Sequence, residues 1–404
     1  MSILENFYII SLIKVAIVAF ILLTTLAYLQ WIERKVIAHV QLRVGPYRVG
    51  PHGLLQPLAD VVKLITKEGL MPSHVNKLFY LLAPFVAVTL ALISIAVIPF
   101  GPEISIGPVR TWMQLTDLRI GVLFVLAVSS IGVYGVALGG WASNNKYSLL
   151  GGLRSSAQMI SYELPLGLAV AAPLLLANTL SFREMVNYQS GYWLGFIPRW
   201  NVIPEILGFI VFMIAGFAET NRVPFDLPEA ENELVAGFHT EYSSMTFAAF
   251  FMAEYANMVT VTAVATLLFL GGWQPLFPEP YSDVIPILVF LLGGLVSLYH
   301  GMNPARRKDK FTLPAAGLVF LGIAAIFALS VVAPPLQDTL KPILLALFWF
   351  CGKILVLLFI FIWVRATLPR FRYDQLMRFA WTGLFPLSMV NLLVTSLVVA
   401  LTSK

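Results

Sequence analysis

Ten stretches of this chain are apolar enough, and long enough or nearly so, to cross a lipid bilayer as helices. They run roughly over 7–29, 78–100, 118–140, 157–177, 202–218, 247–271, 284–302, 311–333, 342–364 and 379–402. Within hydrocarbon every backbone N–H and C=O must be satisfied by the chain itself, which restricts a spanning segment to a helix or a closed barrel. Continuous apolar runs of about 20 residues without alternation are helical. Composition closes the other routes. Only 12% of the 404 residues are charged, against about 25% in soluble domains, while 59% are hydrophobic and the mean hydropathy is +0.84. A water-soluble fold of this length cannot hide so much apolar side chain. A single anchor would leave the remainder ordinary, and disorder needs the opposite composition. The expected fold is an all-α, polytopic membrane bundle of about ten helices, one transmembrane domain over 1–404.

Several kinds of chemistry lose their support. Cys351 is the one cysteine, so the chain offers no disulfide framework and no thiolate set for zinc or an iron–sulfur cluster. His39, His52, His74, His239 and His300 lack metal-ligand spacing. No GxGxxG follows a strand and no GxxxxGK[ST] is present. Redox or nucleotide chemistry would therefore take place beside a partner that carries the cofactor. The first apolar run is too long for a cleavable signal peptide and lacks a small-residue cleavage site.

Orientation follows from the basic residues. If the long gap 30–77 is cytoplasmic, that gap and every second one after it hold 18 of the 26 Lys and Arg, and only six lie in the opposite gaps and tail. Both termini are then expected on the non-cytoplasmic side of a bacterial plasma membrane. The same count requires that 284–302 and 311–333 either both cross or both do not.

The charges that remain are informative by place. Read as a helix, 54–68 puts Gln56, Asp60, Lys63 and Lys67 on one face and Leu54, Leu58, Val61 and Ile65 on another, an amphipathic helix lying in the membrane surface. Segment 219–241 holds Glu219, Asp226, Glu229, Glu231, Glu233 and Glu241 against Arg222 alone. Helix-start chemistry at Asp226 and Pro228 accounts for two or three of these acids; six beside a membrane suggest a functional cluster whose members raise one another's pKa. Glu163 and Glu254 fall inside spans, about one and two turns from their ends. A charge there costs about 2.5–3.5 kcal/mol on insertion scales, so such acids commonly face a bundle interior and serve ion or proton paths. A structural interhelical hydrogen bond is the simpler reading. Lys353, mid-span, is expected to pair with an acid or snorkel, and Lys14 to snorkel.

Seven motifs then carry a resemblance: YLQWIERK at 28–35, QLRVGP at 41–46, GLLQPLADVVKLITKE at 53–68, SYELPLGL at 161–168, AETNRVPFDLPEAENELVAGFHTEY at 218–242, FMAEYANM at 251–258 and RATLPRFRYDQLM at 365–377. Over about 1–272 and 336–404 the chain resembles the quinone-chamber membrane subunits of respiratory complex I, the family of the bacterial H subunits and their mitochondrial counterpart. The resemblance implies that the cytoplasmic loops 30–77 and 219–246 form the quinone chamber and contact the peripheral arm. It implies quinone as substrate, FMN and iron–sulfur clusters only in partner subunits, and peripheral quinone-site and antiporter-like subunits as partners. It places Glu33, Asp60, Glu163, Glu219, Glu229, Glu231, Glu233 and Glu254 on a proton or coupling chain. Arg34, Arg43, Lys63, Arg222 and Arg365 match basic chamber positions or charge partners, and Phe225 a loop position near the quinone path. Family members usually have eight spans, so 280–335 reads as an inserted transmembrane hairpin on the outside of the subunit. Two other readings are the membrane subunit of an energy-converting hydrogenase or formate hydrogenlyase, and a stand-alone secondary transporter. The intact loop motifs disfavour the first, and the absence of paired halves disfavours the second.

Overall fold

The computed structural model describes residues 7–106, 109–226, 235–302 and 309–402. Among them, nine helices are long and apolar enough to span a bilayer and a tenth is apolar but shorter. The spanning helices are α1 (Phe7–Val40), α3 (Lys77–Ile95), α4 (Gly121–Ala142), α5 (Lys146–Ala177), α7 (Ile206–Glu219), α8 (Ser244–Phe269), α9 (Tyr281–Met302), α10 (Asp309–Val332), α11 (Leu340–Thr367) and α12 (Tyr373–Thr402), α7 being the short one. Between them lie α2 (Gln56–Thr66) on the first loop and the short α6 (Phe182–Tyr188). Two small antiparallel hairpins, β1 (Glu103–Ile106) with β2 (Val109–Trp112) and β3 (Tyr192–Trp193) with β4 (Ile197–Pro198), sit in loops. The sequence reading did not anticipate them; they are too short to show a period.

Helix lengths depart from the apolar runs in an instructive way. The 34 residues of α1 make a helix of about 51 Å, well beyond a hydrocarbon core of about 30 Å. The expected loop at 30 is thus the C-terminal end of α1, and Glu33 and Arg34 stand on a helix. Likewise α5 begins at Lys146, not 157, so Glu163 lies about five turns along it. Hydropathy stops at the first charges, whereas a helix continues wherever those charges find partners. In contrast, the 14 residues of α7 extend only about 21 Å, less than the hydrocarbon thickness.

The core forms where α3, α4, α5, α7 and α8 pack on one another, with α12 against α5 and α11 against α8. α8 is the central element: Thr260 through Phe269 are all buried, which polar-to-lipid alternation cannot produce. Small residues let backbones approach, as in membrane bundles generally. At Gly151 of α5 an added Cβ would come 2.8 Å from the backbone of Gly237, which itself adopts φ 62°, so the turn Gly237–His239 presses directly on α5.

Lys353 neither pairs with an acid nor snorkels. Its ammonium donates to the carbonyls of Leu270 at 2.6 Å, Gly272 at 2.8 Å and Gln274 at 2.6 Å, and sits 4.1 Å from the Trp200 ring. It closes the C-terminal end of α8, where unsatisfied carbonyls and the helix dipole both favour a cation. Lys14 donates to the carbonyl of Trp112 at 2.9 Å, next to the first β-hairpin.

Helices α9 and α10 pair with each other and meet the rest of the bundle chiefly at α11. Phe290 and Phe327 rest against Phe348 of α11. At one end Lys341 holds Asp283 at 2.7 Å; at the other, His52 of the first loop meets Thr312 at 2.8 Å and Asp309 at 3.1 Å.

Candidate functional site

The site is a sequence of charged side chains that leads from α2 into the bundle. α2 carries Asp60, which accepts from Arg34 at 2.8 Å and from Gln56 at 2.9 Å. Its other face, Leu58, Val61 and Ile65, remains exposed, as the amphipathic pattern requires. One residue before Arg34, the same helix turns Glu33 inward, where it is only 3% exposed. Groups from three other elements converge there. Arg222, from the loop after α7, donates through Nη1 to both Glu33 oxygens at 3.0 and 3.3 Å. Tyr255 of α8 donates to Oε2 at 2.7 Å, and Arg365 of α11 is also bonded to Oε1. A carboxylate taken this far from water is tolerable only with opposite charge and its lone pairs filled.

Arg222 joins Glu33 to the next acid. Its Nε lies 3.4 Å from Glu254 of α8, and its guanidinium covers the Tyr255 ring at 4.2 Å. Glu254 lines a cavity of about 50 Å³, and so do Glu219 at the end of α7, Ser129 of α4, Asn257 of α8 and His239. The Ser129 hydroxyl donates to the carbonyl of Leu126 at 2.9 Å and stands beside Glu219 in the cavity wall, and Glu163 of α5 acts on Glu219 through its charge. Glu163 in turn accepts from Ser130. Of these two adjacent serines of α4, Ser130 holds an acid directly and Ser129 lines the cavity next to one. A cavity of this size and polarity accommodates water between Glu254 and Glu219.

Of the residues expected from sequence, the structure brings Glu33, Asp60, Glu163, Glu219 and Glu254 into this succession, with Arg34, Arg222 and Arg365 between them. Glu229, Glu231 and Glu233 lie outside the described residues. Arg43 stands apart, its Nε bonded to Gln41 at 2.8 Å, and Lys63 is exposed on α2. Phe225 is buried with its ring 5.5 Å from Tyr162 and 5.6 Å from Phe371, and its carbonyl accepts from Gln158 at 2.7 Å. Asp226, read in sequence as a helix-start residue, is buried and paired with Arg370 at 2.9 Å. Sequence reasoning missed Tyr255, Ser129, Ser130 and His239. Tyr255 and His239 lie inside two of the seven motifs; the serines carry no signal of their own in an apolar run.

A model of the NADH dehydrogenase family matches residues 13–396. The chain belongs to that family. It is 66% identical over 409 residues to an NADH-quinone oxidoreductase H subunit, form 1, of Solibacter usitatus, an alignment covering the whole of both chains. It is 49% identical to the form 2 H subunit of Koribacter versatilis, over 98% of each chain, and 44% identical to the form 2 H subunit of Geobacter metallireducens, over 98% of this chain and 97% of the relative. Alignments of that extent include the α9–α10 segment, so this chain shares it with those relatives. It is a multi-pass membrane protein of the bacterial plasma membrane.

Proposed function

We propose that this subunit forms the quinone chamber of a proton-translocating NADH–quinone oxidoreductase and passes the effect of quinone reduction inward through its acids. The names of the full-length relatives support the enzyme. The observation that carries the mechanism is Arg222, which bridges Glu33 and Glu254 and so links the α2 surface to the cavity of Glu219. The loops 30–77 and 219–246 would face the peripheral arm, with Arg34, Arg43, Lys63 and Phe225 near the quinone path and both chain termini on the opposite side.

Reducing a quinone takes two electrons and two protons and puts transient negative charge on the headgroup. In a weakly screened interior that charge acts strongly on nearby carboxylates. Protonation of Glu33 would weaken its hold on Arg222 and shift the guanidinium toward Glu254. Protons then move through the set as coupled groups rather than one residue at a time. The electron carriers belong to partner subunits, and the antiporter-like subunits would receive the signal. Asp60→Asn and Glu219→Gln are each expected to lower quinone reductase activity and proton pumping about tenfold or more while the complex still assembles. Wild-type pumping in an assembled Glu219→Gln complex would sink the mechanism.

A further inference from the structure

His239 has no part in the ion-pair succession, yet it stands in the same cavity. The turn Gly237–His239 is pressed against α5 at Gly151 and holds the ring in place. His239 is only 7% exposed. Three aromatic rings surround it, Phe238 at 5.0 Å, Phe247 at 5.4 Å and Phe251 at 5.8 Å. None of these accepts an ordinary hydrogen bond. Among the described residues neither ring nitrogen has a hydrogen-bond partner. Buried polar atoms are nearly always satisfied, by protein or by ordered water. The cavity that His239 lines is wide enough for water and supplies the further partners water needs in Glu219, Glu254, Ser129 and Asn257.

We propose that His239 anchors water that joins Glu254 to Glu219, and is thereby a positioning residue of the proton path. The inference rests on the acid-chain reading given above. A neutral imidazole donates at one nitrogen and accepts at the other, so it gives a water line a direction and adds no charge to compete with Arg222. Burial pushes this imidazole down to about 4, which keeps it neutral at physiological pH. The titratable groups that face it are Glu219 from α7 and Glu254 from α8, with Glu163 of α5 acting on Glu219. A proton that leaves Glu254 along such a line arrives at Glu219 as another proton, and the imidazole ends as it began.

The test uses the intact enzyme complex in proteoliposomes, with His239→Gln, His239→Phe, His239→Leu and Glu219→Gln compared. The readouts are pumping rate, solvent isotope effect and KM for quinone. The apolar variants should pump about tenfold more slowly, with a larger isotope effect and unchanged KM, while His239→Gln stays within about twofold of the parent. The proposal falls if His239→Phe or His239→Leu pumps like the parent, or if His239→Gln falls as far as they do. It falls too if neither apolar variant assembles, which would assign the ring to folding. Normal pumping by Glu219→Gln would instead remove the acid chain itself.

Discussion

Two regions of this molecule solve the membrane in opposite ways. Around Glu33, side chains from α1, α8, α11 and the loop after α7 hold one another, with Glu33 and Arg222 almost wholly out of water. In α9 and α10, side chains such as Leu292, Val296, Leu318 and Val319 are exposed all along the pair, and polar attachments to the rest of the protein occur at its ends. The first region is specified by partners and tolerates little change. The second is specified by apolarity, and many sequences would serve.

Arg222→Ala is the severest way to probe that difference. It removes the cation shared by Glu33 and Glu254, leaving Glu33 with Arg365 and Tyr255, and is expected to cost about 3–5 kcal/mol. Thermal unfolding of the complex should drop sharply and quinone reductase activity should be lost. A variant that melted near the parent would mean that the Glu33 cluster is solvated and that the contrast is false. Lys353→Met should act next most strongly. It strips three carbonyls of a charged donor, at a cost of about 2–3 kcal/mol in melting, with less effect on activity than Arg222→Ala. Equal loss of activity would place the lysine in the mechanism. The smallest effect is expected from deleting 281–335. The complex should assemble and retain activity within about twofold, because the pair touches the bundle chiefly at one helix and two ends. Loss of quinone access would show instead that the His52–Asp309 contact shapes the first loop.

Much of this was open to reading in one dimension. The number of spans, the amphipathic α2 and the isolation of Glu163 and Glu254 all follow from residue order and the cost of charge in lipid. The partnerships did not follow. Glu33 meets Arg365 from the far end of the chain, and nothing local in either sequence marks the other. The reach of α1 to Val40 was hidden for the same reason: Glu33 looks like the end of a span until its partners are known. Lys353 resisted because its acceptors are backbone carbonyls, which every residue has and no sequence advertises.

The brevity of α7 has an electrical consequence. Glu205, buried at its N-terminal end with Asn391 and Thr395, and Glu219 at its C-terminal end mark a helix of about 21 Å where the surrounding hydrocarbon is about 30 Å thick. Where water reaches both ends, a given membrane voltage drops over that shorter distance, and the local field is about 1.4 times steeper.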